Sequence, residues 1–163
     1  MTTLAPASVA PASVAVRPLT PRDLGWVCEI DELRTGVAKL DYWSRVFGEF
    51  LDPKRDRAGR VGLAALDGDK PAGYLFGEVR AFEFGSPPCG WVFAVGVAPE
   101  YSRSGHASTL LAEACRLFRA AGMTTVRTMV LRDDIPVLSF FRARGFTGGA
   151  FYQLERSLED DQQ

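Results

Sequence analysis

The segment best suited to chemistry is Val95–Leu111, whose sequence is VGVAPEYSRSGHASTLL. A strand-like apolar run ends before Pro99, a loop of small residues follows, and a helical pattern begins at His106. The first backbone N–H groups of a helix have no partner within the helix, and the helix dipole adds positive charge there. The segment therefore predicts an anion site, of the kind that binds phosphate, where a strand passes into a helix.

Side chains of this turn suit a phosphate group. Gly105 and Ala107 leave room for close approach to the amides, Arg103 adds charge, and Ser104 and Ser108 add hydroxyl donors. The segment has neither the G-K-[ST] of nucleoside triphosphate loops nor the GxGxxG of dinucleotide folds, so those ligands are not expected. The spacing alone leaves open an ordinary strand-to-helix turn that binds nothing.

Arginine is concentrated around this turn. The sequence has 19 basic and 20 acidic residues, for a formal net charge of −1. Residues 98–158 contain eight arginines, no lysine and five acids, a net charge of +3, whereas residues 1–97 carry −1 and residues 159–163 carry −3. Guanidinium groups suit the oxygens of a diphosphate. The near-zero total argues against a nucleic-acid partner, which would require a basic surface overall.

Histidine and cysteine are too few and too scattered for a metal site or a disulfide framework. The chain has one histidine, His106, and its three cysteines, Cys28, Cys89 and Cys115, follow no metal-binding spacing. Unpaired thiols are typical of a reducing compartment, so the expected location is the cytoplasm. No apolar run approaches the roughly 20 residues of a membrane helix and no secretory signal is found, so no membrane partner is expected.

Hydrophobic periodicity predicts the elements in the first part of the chain. A strand is expected at 14–19, followed by a helix that Thr20 caps, that Pro21 opens and that ends before Gly36. Asp41 is expected to cap a second helix. The second helix is predicted by an apolar stripe at helical spacing, interpreted as core, which comprises Trp43, Val46, Phe47, Phe50 and Leu51.

Strands and helices alternate over the rest of the chain. Strands at 61–66 and 72–84 are predicted to form an antiparallel hairpin, followed by a buried strand at 90–97. A helix at 106–121, a strand at 124–131, a helix at 136–144 and a strand at 150–158 follow. The predicted class is α/β, a mixed sheet with helices on both faces. Residues 1–15, rich in Ala, Pro and Ser, and the acidic residues 159–163 are expected to be tails around one domain at 16–158.

The run Ser102–Ala107, SRSGHA, resembles the acyl-CoA-binding motif Q/R-x-x-G-x-G/A of the GNAT superfamily of N-acetyltransferases. It follows a strand and a Val-x-Pro turn, and Gly105 and Ala107 match the two small positions. Downstream, DDIPVLSFFRARGF is similar to the second signature of that family. The resemblance spans about residues 14–158. It implies a mostly antiparallel sheet with splayed central parallel strands, acetyl-CoA as cosubstrate without a metal, and acetyl transfer to an amine.

The resemblance also implies a role for individual residues. The backbone of Val95, Gly96 and Val97 corresponds to the strand that pairs with the pantetheine arm of the cofactor. Asp134 stands at the position of a frequent Asn near the pantetheine, and Phe141 at that of a frequent Tyr. The pyrophosphate cradle corresponds to Arg103, Ser104, Gly105, His106, Ala107 and Ser108.

The sequence also departs from the family pattern at positions that bear on binding and catalysis. Ser102 replaces the first Gln or Arg of the motif, and Trp91 and Met129 stand where relatives carry a general-base Glu. Phe141 lacks the hydroxyl that often protonates the leaving thiolate. A carboxylate elsewhere is then expected to take the proton of the amine through water. The candidates are Glu83, the first choice, and Glu78, Glu29 and Asp31.

Two functions remain open at this point. The first is an N-acetyltransferase in which a primary amine attacks acetyl-CoA directly in a ternary complex. The second is a CoA-binding sensor or interaction module that has lost catalysis, since the usual acid and base residues are missing. The acceptor, a small-molecule amine or an amine of a peptide or protein, is not indicated by the residues, and a homodimer is compatible with the family.

Overall fold

The computed structural model describes residues 14–54 and 58–159. Most of the tail expected at 1–15 and residues 160–163 of the acidic end lie outside the described residues, so both tail predictions stay untested. The chain divides into two compact units, Met1–Met129 and Val130–Gln163.

One sheet forms the frame of the first unit. In the described part of the chain it has five strands in the order β1-β2-β3-β4-β5. Strands β1 to β4 pair antiparallel, with a tight turn joining β2 to β3 as predicted, and β4 pairs parallel with β5. The strands are β1 (Val14–Pro18), β2 (Arg60–Asp67), β3 (Lys70–Arg80), β4 (Cys89–Val97) and β5 (Val126–Thr128). The mixed, mostly antiparallel class is confirmed.

Three helices belong to this unit among the described residues. They are α1 (Leu24–Thr35), which follows a 3-10 turn at Pro21–Asp23, α2 (Leu40–Leu51) and α3 (His106–Ala120). The prediction of Asp41 as the cap of α2 is wrong, because Lys39 occupies the N-cap position. Asp41 lies in the first turn instead, where a negative charge still interacts favourably with the helix dipole.

The core on the α1 and α2 face of the sheet is centred on Phe76 of β3. Its side chain is fully buried, and its ring centroid lies 5.4 Å from that of Trp43, 5.5 Å from Phe47 and 5.7 Å from Phe50. All five residues of the predicted apolar stripe of α2 are buried, so their interpretation as core is confirmed.

Helix α3 packs on the opposite face, because neighbouring residues of a strand point to opposite sides of a sheet. Gly77, next to Phe76, faces Phe118 of α3, and so does Gly90 of β4. A Cβ atom at Gly90 would lie 2.5 Å from Cγ of Phe118, so the ring rests directly on the strand backbone. This close contact positions α3, whose first turn follows the loop at 102–105 that is predicted to bind an anion.

Strand β3 ends earlier than its predicted end at residue 84. Arg80 is its last residue, and a 3-10 turn occupies Glu83–Gly85. Phe82 and Phe84 adopt φ angles of 62° and 48°, a left-handed conformation that cannot continue a strand. Phe82 and Phe84 are residues typical of strands, but here they are exposed and form a turn.

The strand predicted at 150–158 does not form within the described residues, and this prediction is wrong. Phe151, Tyr152 and Leu154 are exposed, whereas a strand requires a neighbouring backbone to complete its ladder of hydrogen bonds. In the same unit, α4 spans Ile135–Arg142 and ends before Gly145, as predicted within two residues. The predicted strand at 124–131 is reduced to the three residues of β5.

The side chain of Asp23 connects β1 to the beginning of α1 through hydrogen bonds. Its carboxylate accepts hydrogen bonds from both terminal nitrogens of Arg17 (2.7 and 2.9 Å), from the Thr20 amide (2.7 Å) and from Nε1 of Trp26 (2.9 Å). Burial opposes the charge of Asp23, but these hydrogen bonds outweigh that effect and hold its pKa well below the ordinary value.

Replacing Asp23 by asparagine should therefore lower the free energy of unfolding at neutral pH by about 2–3 kcal/mol, as expected for charged hydrogen bonds. Because the pKa is lowered in the folded state, this contribution is present above about pH 4, the unfolded value, and is lost as the pH falls further. Chemical denaturation of both proteins between about pH 7 and pH 2 would measure this loss. A difference that stays constant over this range would contradict the explanation.

Candidate functional site

Strand β4 has one edge that its neighbour covers only in part. The parallel ladder with β5 joins Gly90 to Val126 and ends where Val92 pairs with Thr128, whose hydroxyl donates to the Val92 carbonyl (2.9 Å). Among the described residues the ladder goes no further, yet β4 continues to Val97. The parallel pairing with β5 therefore stops before the second half of β4.

The antiparallel ladder with β3 determines which backbone groups point to this open edge. The Ala98 amide donates to the Ala72 carbonyl (2.9 Å), and alternate residues along β4 repeat this orientation. The backbone groups of Val97 and Val95 consequently point away from β3. An extended ligand with amide groups could pair with them as an added strand does.

The loop that follows β4 is bent by two residues with left-handed backbone. Arg103 has φ of 62° and Gly105 has φ of 89°. The first hydrogen bond of α3 runs from the Thr109 amide to the Gly105 carbonyl (3.0 Å). The amides of His106 and Ala107 precede it and therefore have no acceptor within the helix. A Cβ atom at Gly105 would meet no atom within 4 Å, so open space borders the turn. The predicted anion site fits this geometry.

His106, in the first turn of α3, is buried. Its Nδ1 lies 2.5 Å from the hydroxyl oxygen of Ser104, and its ring centroid lies 5.1 Å from that of Tyr101. The Ser104 hydroxyl donates to the Tyr101 carbonyl, so Nδ1 must donate to Ser104. The predicted contact of Ser104 with a phosphate stays a prediction. Both side chains stabilise the loop from within.

The partly buried side chain of Asp134 and the buried side chain of Phe141 belong to the second unit and have structural partners there. The carboxylate of Asp134 accepts a hydrogen bond from the Val137 amide (3.1 Å) and so caps the N-terminus of α4. The Phe141 ring packs against Phe140 and Phe146, each at 5.1 Å between centroids. Their predicted contacts with a cofactor stay predictions.

Glu83 lies at the opposite end of β4 from the loop. It follows Arg80, which pairs with Cys89 at the beginning of β4, whereas Val97 pairs with Gly73 at the other end. At about 3.3 Å per residue, the length of β4 separates the two places by roughly 25 Å. The structure therefore does not bring Glu83 together with the loop, and its catalytic role stays a prediction.

A second candidate carboxylate, Asp31 of α1, lies near the open edge of β4. Its Oδ2 accepts from Nζ of Lys39 (2.9 Å) and Nε1 of Trp43 (3.0 Å), and its Oδ1 lies 3.5 Å from the hydroxyl of Tyr74. Tyr74 is directly opposite Gly96 in the ladder. A Cβ atom at Gly96 would lie 2.6 Å from Cε1 and 2.9 Å from the hydroxyl oxygen of Tyr74.

The sequence analysis named Asp31 as a candidate carboxylate, but it did not predict the contact between Asp31 and Tyr74. The available signal is a glycine within a strand, which often marks the close approach of another group. Burial, and then the charge of Asp31, raise the pKa of Tyr74 well above its ordinary value. The Tyr74 hydroxyl thus stays protonated at neutral pH.

The described residues contain neither a cluster of His, Cys, Asp or Glu side chains placed to hold a metal ion nor a helix able to cross a membrane. Cys28, Cys89 and Cys115 are free thiols. Burial raises the pKa of Cys28 and Cys115, which makes both poor nucleophiles near neutral pH.

Several known proteins are similar to this chain. A mycothiol acetyltransferase of Pseudarthrobacter chlorophenolicus is 26% identical over 150 residues, which make up 87% of this chain and 45% of that protein. The chain thus spans about half the length of this relative. Among solved structures, aminoglycoside acetyltransferase AAC(6')-Iy, in complex with the bisubstrate analogue CoA-S-monomethyl-acetylneamine, has a TM-score of 0.73 at 14% identity, covering 88% of this chain and 97% of that chain.

The aminoglycoside 6'-N-acetyltransferase AAC(6')-Ih of Acinetobacter baumannii has a TM-score of 0.72 at 17% identity, covering 90% of this chain and 99% of that chain. At such low identity these structures show the shared fold. The sequence matches the profile of the acetyltransferase (GNAT) family over residues 25–146, which is most of the chain. The chain belongs to the acetyltransferase (GNAT) family.

Proposed function

We propose that the chain transfers the acetyl group of acetyl-CoA to a primary amine of a small molecule, by direct attack in a ternary complex. The observation that carries this proposal is the open edge of β4, which runs directly into the loop and first turn of α3. Backbone groups for an amide-bearing arm and amides for a diphosphate thus follow one another along a single stretch of chain.

Each part of this stretch has a distinct task. The backbone of Val95 and Val97, on either side of Gly96, pairs with the pantetheine arm. The amides from Gly105 to Ser108 and the charge of Arg103 hold the pyrophosphate. Bound acetyl-CoA supplies an activated acyl group as a thioester. An N–H group of β4 near Val95 polarises its carbonyl, because a fixed donor stabilises negative charge on that oxygen.

Two further observations support this form of the proposal. Direct attack needs no cysteine nucleophile, and the raised pKa values of Cys28 and Cys115 disfavour one. The aminoglycoside acetyltransferases with this fold act on small-molecule amines, which favours such an acceptor over a protein. The free thiols also support our expectation of a cytoplasmic location.

The test measures release of the CoA thiol from acetyl-CoA in the presence of single amines. The panel contains neamine, spermidine, lysine methyl ester and a lysine-containing peptide, and calorimetry measures CoA binding in parallel. Turnover with a small amine and none with the peptide is the expected result. Tight binding of CoA without turnover with any amine would instead favour the sensor or interaction module. Absence of CoA binding would refute both functions.

Replacing Gly105 by alanine should weaken CoA binding by about tenfold or more and lower the free energy of unfolding by about 1 kcal/mol. The Cβ atom would occupy the open space beside the turn, and φ of 89° strains any residue other than glycine. Gly122→Ala is the matched control, because Gly122 lies just beyond the other end of α3 with φ of 84° and open space around it. An equal loss of CoA affinity in both variants would refute the role of the turn.

A further inference from the structure

Tyr74 of β3 and Asp31 of α1 form a buried pair beside Gly96 of β4, on the side of the strand where the proposed function would place the amine acceptor. We propose that Tyr74 accepts the proton of the attacking amine and passes its own proton to Asp31. This inference rests on the proposed function and adds the base that Trp91 and Met129 cannot provide. Tyr74 would touch the amine and is the catalytic residue, whereas Asp31 acts through it as a positioning residue.

The position of Tyr74 is the first argument. Its ring lies over Gly96, with the hydroxyl oxygen 2.9 Å from the place of a Cβ atom on that glycine. Gly96 lies between Val95 and Val97, whose backbone groups point to the open edge of β4. The hydroxyl group is therefore directly beside the strand at which the proposed function places the thioester.

The hydrogen bonds of Asp31 are the second argument. Its Oδ2 accepts two bonds of ordinary length, from Lys39 and Trp43, whereas the described contact of its Oδ1 is the Tyr74 hydroxyl at 3.5 Å. Oδ1 therefore keeps capacity to accept a proton. Because the hydroxyl proton of Tyr74 points to Asp31, the oxygen of Tyr74 presents its lone pairs to an incoming N–H group.

The surroundings keep this pair apart from bulk water. Tyr74 is 2% exposed and Asp31 is 7% exposed. The titratable and charged groups that act on the pair are Lys39, Arg34, Tyr42 and Cys28. Lys39 places a positive charge beside Asp31, with its Nζ 2.9 Å from Oδ2.

The step conserves atoms and charge. The amine nitrogen forms a bond with the acyl carbon, the C–S bond breaks, and the sulfur leaves with the electron pair. One proton moves from the nitrogen to the oxygen of Tyr74 while the hydroxyl proton of Tyr74 moves to Oδ1 of Asp31. The sulfur takes a proton from solvent, and Asp31 returns its proton to solvent afterwards. No tyrosinate forms, as the raised pKa of Tyr74 requires.

The test compares Tyr74→Phe and Asp31→Asn with the wild type. Tyr74→Phe keeps the ring over Gly96 and removes only the hydroxyl, so it should fold normally. Both variants should lose about 100-fold or more in kcat, the usual contribution of a positioned base, with unchanged affinity for acetyl-CoA. The double variant should be no slower than the slower single variant, because the two groups act as a unit. Glu32→Gln, an exposed carboxylate next to Asp31 in α1, is the matched control and should keep full activity.

A second measurement does not depend on turnover. Calorimetry of an amine that the wild type accepts, titrated into the complex with CoA, should show about tenfold weaker binding for both variants. Wild-type turnover that persists within twofold in Tyr74→Phe would overturn the relay and leave the proposed function intact. A wild type without turnover would overturn both. Loss of activity with a rise in KM alone would show that the pair only holds the substrate.

Discussion

Alanine in place of Phe76 should lower the free energy of unfolding by about 3–5 kcal/mol, the usual cost of removing a buried ring. Phe76 is fully buried and packs against Trp43, Phe47 and Phe50, so its removal would leave a cavity between α2 and the sheet. Because domains of this size are commonly stable by only about 5–15 kcal/mol, the variant should be near the limit of folding at 37 °C.

Denaturant unfolding of the variant and of the wild type measures this loss. Phe84→Ala provides the matched control, since the Phe84 side chain is fully exposed and its removal should change stability by only about 0.5 kcal/mol. Similar losses in the two variants would contradict the central position of Phe76 in the core.

The second large effect concerns activity and is expected for Gly96→Ala. The new Cβ atom would lie 2.6–2.9 Å from three atoms of the Tyr74 side chain, so the ring must move. A displaced ring would separate the Tyr74 hydroxyl from Asp31 and obstruct the open edge of β4. Under the proposed function, acetyl transfer should fall by about 100-fold or more.

Gly90→Ala separates this effect from simple overpacking. Its Cβ atom would lie 2.5 Å from Phe118, at the end of β4 that is remote from the loop, and should cost about 1–3 kcal/mol of stability. The folded fraction of this variant should keep kcat within about threefold of the wild type. If both glycine variants lost activity in proportion to their stability, the special role of Gly96 would be refuted.

Much of the fold could be predicted because local patterns and tertiary contacts agree. The apolar stripe of α2 is hydrophobic at helical spacing, and all of its members are buried in the structure. The turn between β2 and β3 has a glycine, Gly68, where a positive φ angle occurs. In both cases one short segment contains the whole physical signal.

The failed predictions share a different cause. The segments at 82–84 and 150–158 contain aromatic and aliphatic residues typical of strands, but a strand forms only where another backbone completes its hydrogen bonds. Phe82 and Phe84 lie in a left-handed turn, and Tyr152 is almost fully exposed. Composition alone does not indicate whether a partner strand is present.

The same distinction applies to the candidate site. The sequence by itself determined the glycine turn before α3, because Gly105, the loop before it and the helix after it are adjacent in the chain and form a contiguous motif. Only the tertiary structure decided which residues meet on the proposed acceptor side. Asp31 and Tyr74 are 43 residues apart, and Tyr74 meets Gly96 only through the register of two strands. Contacts of this kind depend on how distant elements pack, so no local spacing could have ranked Asp31 above Glu83.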